Sequence, residues 1–198
     1  MATSKHALSF FITAFSLSCL CAQEAYFQQE VGYIIDARLD DEAHALRGQV
    51  AIAYQNNAPH ALDSLWFHLW PNAYRDRQTA FARQQERMNK SHFFFAEDSE
   101  LGGIDSLDFS VDGNPARWAL HPEHPDIAVL LLSEPLPAGG QVRIHTPFRL
   151  QLPRNFSRLG REGQAYQFTQ WYPKPAVYDK RGWHPMPYLD MGEFYSEF

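Results

Sequence analysis

The chain has 198 residues, 45% of them hydrophobic and 15% aromatic, with a formal net charge of −6. An acid excess repels phosphate backbones and anionic lipid, which sets nucleic-acid binding aside. Both cysteines, Cys19 and Cys21, fall within the first 22 residues, so a chain that loses them has no disulfide, no thiolate nucleophile and no cysteine-ligated zinc.

Residues 1–22 have the pattern of a secretory signal peptide: a lone charge at Lys5, an apolar stretch from Ala7 to Leu20, then small residues. The stretch is shorter than the roughly 20 apolar residues that cross a bilayer. Cleavage is expected after Ala22, which gives a secreted or periplasmic protein, soluble and without membrane association. Neither Cys19 nor Cys21 sits in a lipidation context. Residues 23–198 suffice for one domain with its own core.

Period-two alternation dominates that remainder. In "YIIDARLD", Tyr33, Ile35, Ala37 and Leu39 face one way and Asp36, Arg38 and Asp40 the other. "DDEAH" has the polarity of a hairpin loop, and "LRGQVAIAYQNN" repeats the alternation with Leu46, Val50, Ile52 and Tyr54 before Asn56 and Asn57 end the strand. "ALDSLWFHLW" is a third strand, stopped by Pro71. Its Trp66, His68 and Trp70 share a face, and a half-buried histidine between large neighbours is the expectation there.

Asp76 to Met88, "DRQTAFARQQERM", is a run of good helix formers without Gly or Pro and predicts one short surface helix. Strands resume with "SLDFSVDG", a turn at Asp112, Gly113 and Asn114, and "ARWAL". The continuous apolar run from Ile127 to Leu132 predicts a strand covered on both faces. "EPLPAGG" predicts a loop, and "QVRIHTPFRLQL" a last long strand with Val142, Ile144, Phe148, Leu150 and Leu152 inward. Many strands, short turns and almost no helix predict an all-β fold, an antiparallel β-sandwich or saddle-shaped sheet with one short helix.

"HPEHPD" has the residue types of a metal site in His121, Glu123, His124 and Asp126. Its histidines are three apart and interleaved with Pro122 and Pro125, which excludes the helix that zinc proteases use, so a solvated loop is expected. No histidine in the chain is followed by glutamate, and no serine sits in a Gly-x-Ser-x-Gly elbow. The segment 168–190, "FTQWYPKPAVYDKRGWHPMPYLD", is so rich in rings and prolines that no regular strand or helix is expected in it. It is either an aromatic plug or a contact surface. Gln170, a neutral donor and acceptor amid the rings, and the charges of Lys174, Asp179, Lys180 and Arg181 favour contact.

Three stretches carry a family resemblance: "YIIDARLDDEAHALRGQVAIAYQNNAPHALDSLWFHLWPNAYR" (33–75), the segment 168–190, and the closing "GEFYSEF". Together they resemble the N-terminal β-domain of zinc metallopeptidases of the aminopeptidase N family, in its bacterial secreted branch. The resemblance implies a signal peptide (1–22) and a substrate-cleft domain (23–198) that precedes a catalytic domain of the same polypeptide. Zinc would be a cofactor of the complete enzyme, held by a His-Glu-x-x-His motif that this chain lacks. The chain itself is therefore expected to bind no metal and to hold no catalytic residue. The partner it implies is the N-terminal end of a peptide substrate. Substrate-binding residues by this resemblance are Gln170 and Tyr172, with Trp171 between them. Thr169 and Gln170 match the family's Ser/Thr-Gln-x-Glu/Gln motif, whereas Tyr172 offers a hydroxyl in place of the acidic or amide group that grips the substrate amine. "GEFYSEF" resembles the lead-in to a further strand, so an unpaired sheet edge is expected. The alternative is a stand-alone secreted β-sandwich binding module, for example one that stacks carbohydrate on Trp171, Tyr172 and Trp183.

Overall fold

The alternating stretches become strands, with ends that shift by one to three residues from the visible pattern. The computed structural model describes residues 26–192, 194 and 195; the expected signal peptide lies outside them. Strand β1 is Glu30–Asp40, three residues longer at its start than the visible alternation, and β2 is Ala45–Gln55. β3 is Leu62–His68, ended as expected just before Pro71, where the chain turns into a short 3-10 helix, Trp70–Tyr74.

The helix α1 spans only Ala80–Arg87, four residues later than its sequence signal. Asp76 spends its carboxylate on a turn, accepting from the Gln78 N–H at 2.7 Å. Thr79 then caps the helix: its hydroxyl oxygen accepts from the Ala82 N–H at 3.1 Å, and its O–H donates to the Ala73 carbonyl at 2.7 Å. Phe81, Ala82 and Gln85 are buried, so one face of this surface helix belongs to the core. Thr79→Ala removes the cap and leaves the buried Ala73 carbonyl without its donor. It is expected to cost about 1–2 kcal/mol by urea unfolding, with the strands intact by circular dichroism.

Further on come β4 (Gly103–Asp105), β5 (Ser110–Val111), β6 (Asn114–Pro115), β7 (Arg117–Leu120), β8 (Ile127–Leu136) and β9 (Gln141–Gln151). The turn between β5 and β6 sits at Asp112 and Gly113, both at positive φ (49° and 82°), as a tight hairpin requires. Short pairs follow: β10 (Gly160–Glu162), β11 (Ala165–Gln167), β12 (Lys174–Pro175), β13 (Tyr178–Asp179) and β14 (Gly182–Trp183). The expectation of no strand in 168–190 is corrected by the last three. The loop expected from Glu134 is corrected too, since β8 continues to Leu136.

Every strand pair is antiparallel. A six-stranded sheet has the order β1-β2-β9-β5-β6, with β4 also on β9, and a four-stranded sheet the order β12-β3-β8-β7. The two sheets contribute to one core: Val50, Ile52 and Tyr54 of β2 and Ile144, Phe148 and Leu150 of β9 cluster with Leu65 and Phe67 of β3 and Leu130 of β8. Thr146 lies among them, satisfied by accepting from the Asp108 N–H at 2.9 Å and donating to the Pro147 carbonyl at 2.8 Å. The apolar run of β8 is not covered on both faces: Leu131 is 43% exposed, because β8 belongs to an antiparallel sheet with one open side. Among the described residues the architecture is therefore mostly β, antiparallel, with one short α-helix.

Candidate functional site

The segment 168–190 crosses from one sheet to the other, and the anchors that hold it are buried. β12 adds to the edge of β3, Lys174 opposite His68 and Pro175 opposite Phe67, and the Ala176 N–H donates to the Trp66 carbonyl at 2.7 Å. Beyond the β13–β14 hairpin the chain returns to the same corner. There His68 Nε2 accepts from the Met186 N–H at 3.2 Å, Trp70 Nε1 donates to the Met186 carbonyl at 3.0 Å, and Asp126 Oδ2 accepts from the Tyr188 N–H at 2.6 Å. Met186 to Tyr188 is thus held extended by side chains from β3, from the 3-10 turn after it, and from the approach to β8. Asp190 closes the segment by accepting from Ser157 at 2.6 Å, Lys90 at 2.8 Å and Gln85 at 3.1 Å.

His68 is fully buried, more than the half-burial expected, and stacks on Trp70 with ring centroids 4.3 Å apart. Burial, reinforced by the nearby charge of Lys174, lowers its pKa to about 3, while the backbone of His184 works weakly against the shift. It is therefore neutral, as its acceptor role requires. Asp126 is 1% exposed, and burial raises its carboxyl to about 6, with the Tyr188 N–H pulling the other way. The Lys174 ammonium is buried, lies 5.1 Å from the centre of the Trp70 ring and 5.9 Å from that of Tyr172, and is lowered by burial to about 8.

Gln170 stands apart from this corner in its backbone. Its φ is +54°, and the other non-glycine residues at positive φ are His44, Asn89, Ser106 and Asp112, types common in turns. Its side-chain Oε1 is buried with no hydrogen-bond partner among the described residues. Tyr172 is half-buried, edge-on to Tyr33 at 5.3 Å and to Trp171 at 5.2 Å, and burial raises its phenol pKa. Trp171 is packed on the core by Phe148 at 6.0 Å and Phe168 at 6.2 Å. Trp183 is likewise held between Tyr54 at 6.4 Å and Tyr178 at 4.9 Å.

The three residues singled out by sequence thus play different parts. Gln170 carries an unpaired amide oxygen, Tyr172 a phenol at the edge of the ring cluster, and Trp171 chiefly packs. The solvated loop expected at "HPEHPD" holds for Glu123 but is corrected at Asp126, whose carboxylate turns inward to the Tyr188 N–H. His121 and His124 stack on each other at 5.1 Å. Among the described residues no group of three or more His, Cys, Asp or Glu is placed to hold a metal ion, and no helix is long and apolar enough to cross a membrane. His68, Asp126 and Lys174 as buried anchors escaped the sequence reading. The only signal for them was their position in or beside aromatic strands, which is also where ordinary core residues lie. A scan of protein-family models and a search of curated proteins find no match to this chain.

Proposed function

We propose that these residues form one wall of a peptide-binding cleft, as the N-terminal saddle-shaped β-sandwich domain of a secreted, zinc-dependent peptidase resembling aminopeptidase N. Gln170 lies beside the substrate backbone near its free N-terminus, and the Tyr172 hydroxyl is offered toward the amine. Hydrolysis belongs to a catalytic domain of the same polypeptide. The described residues supply no donor set for zinc, so no step through the metal is assigned to them.

The observation that supports this reading is the state of Gln170. A left-handed non-glycine backbone costs about 1–2 kcal/mol, and a buried carbonyl oxygen without a donor about 1–3 kcal/mol. Both costs are carried by one residue whose amide can donate to and accept from a peptide bond. A peptide N–H at Oε1 would satisfy the orphan acceptor, so ligand binding recovers part of what the unliganded protein forgoes. The ring faces of Trp171 and Trp183 are engaged in packing, which gives the carbohydrate-platform alternative less support.

Two variants test it. Gln170→Gly relieves the backbone strain and is expected to raise stability by about 0.5–1 kcal/mol, the relief less the extra chain entropy of glycine. In the complete zinc-loaded protein, Gln170→Ala is expected to lower kcat/KM for aminoacyl anilides roughly 10- to 100-fold without lowering Tm. A complete protein that hydrolyses no such substrate, yet binds glycans in a manner abolished by Trp171→Ala, would replace this reading with the carbohydrate-binding one.

A further inference from the structure

The six-stranded sheet has one long open edge. β1 pairs with β2 from Glu30 to Asp40, and no strand among the described residues pairs with its other side. Along that edge Ile34, Asp36, Arg38 and Asp40 point to the outer face and Ile35, Ala37 and Leu39 to the core side. Ile34 is nevertheless 77% exposed and Leu39 38% exposed.

Charges within the sheet are mismatched beside this edge. Arg38 stands directly opposite Arg47, and Arg47 directly opposite Arg149. Arg149 has Asp105 at 3.4 Å and Gln151 at 2.6 Å. Arg38 and Arg47 take no ion pair or hydrogen bond among the described residues. Asp36 and Asp40, two positions away along β1, soften the field but do not come within ion-pair distance. Like charges facing each other across strands destabilise a sheet, and the free side of Arg38 is the open side of β1.

We propose that a second copy of this chain pairs antiparallel with β1 about a two-fold axis through Ala37. Opposed residues of an antiparallel pair share a face, so an axis perpendicular to the sheet must pass through a residue position. Centred on Asp36 or on Arg38, the pairing sets like charges against each other. Centred on Ile35, it opposes Asp36 to Ile34 and Arg38 to Gly32. Centred on Ala37, it opposes Asp36 of each copy to Arg38 of the other, and Ile35 to Leu39 on the core side. Ile34 against Asp40 is the one poor pair. Residues 34–40 of both copies overlap, a small contact, so the dissociation constant is expected on the order of 100 μM.

Sedimentation of the full chain tests this. The wild type should show a monomer–dimer equilibrium, and Asp36→Arg or Arg38→Asp alone should weaken it roughly tenfold or more. Mixed in equal amounts, the two variants should associate, because an all-Arg edge then faces an all-Asp edge, and the double swap should restore the homodimer. Association on mixing cannot come from misfolded variants. A wild type still monomeric at roughly 1 mM overturns the proposal, as it must when another segment of the chain holds the edge. A dimer indifferent to both swaps, or single variants that do not rescue each other, overturns it equally.

Discussion

Asp126→Asn is expected to lose about 3 kcal/mol of stability between pH 6 and pH 4, relative to a wild type in which this contribution is nearly flat. Two buried groups with opposite shifts cause the flatness. His68 has an ordinary value of 6.5 and a folded value of about 3, so between those limits the unfolded chain binds a proton that the fold refuses. Acidification through that window therefore favours unfolding by about 1.4 kcal/mol per pH unit. Asp126 is raised from 3.8 to about 6, so between those limits the fold binds a proton that the unfolded chain lacks, and acidification favours folding. From pH 6 to 4 both states hold one proton on this pair and the slopes cancel. Asn at 126 removes only the second effect and leaves the His68 slope bare. His68→Gln, which keeps an acceptor for the Met186 N–H, should do the reverse and gain about 3 kcal/mol over the same acid interval. Urea unfolding followed by tryptophan fluorescence at pH 4, 5 and 6 measures both. Parallel profiles for wild type and Asp126→Asn would show that the pair does not titrate in this way.

Tyr188→Ala is expected to cost about 3–5 kcal/mol, a large share of the stability of an ordinary domain. Tyr188 is 2% exposed and joins the rings of Tyr74 at 5.5 Å, Phe81 at 5.9 Å, Trp70 at 6.3 Å and Phe194 at 5.5 Å. Its N–H holds the Asp126 carboxylate, and its hydroxyl meets Ser157 Oγ at 2.9 Å. Truncation opens a cavity at the point where the helix, the sheet corner and the segment 168–190 meet. Tyr188→Phe keeps the ring and loses only the hydroxyl contact, so it should cost about 1 kcal/mol. If both substitutions cost the same by chemical denaturation, the ring is not what holds that corner.

The long strands could be read from sequence because a half-buried strand must alternate, and Val50, Ile52 and Tyr54 or Ile144, Phe148 and Leu150 do so. What alternation does not encode is partnership. β9 inserts beside β2 although nearly a hundred residues separate them in the chain, and no local pattern distinguishes that neighbour from β8. The short strands of 168–190 were hidden because two-residue pairings leave no period, and prolines advertise loops. Asp126 was hidden by its companions: flanked by prolines and histidines, its carboxylate looks solvated until Tyr188 arrives from sixty-two residues away. Gln170 drew notice as a neutral amide amid rings and again through a family likeness, but its left-handed backbone was not legible because glutamine is not a turn-former.

Pro173 and Pro175, just before and within β12, have a consequence for how the molecule keeps company in solution. Ala176 turns its N–H inward to β3, so alternation turns the Lys174 N–H inward as well and leaves Pro173 and Pro175 on the side away from β3, where both are buried. Neither proline has a hydrogen to give. Covered and without donors, that side of β12 offers an incoming strand little to pair with, and covered or proline-bearing edges are among the ways natural sheets guard against edge-to-edge aggregation. The ring-and-proline composition of this stretch therefore serves as a chemical hem on the four-stranded sheet. The six-stranded sheet ends instead in the eleven residues of β1, none of them proline. Among the described residues, the backbone groups free to pair with another strand therefore lie along β1 rather than along β12.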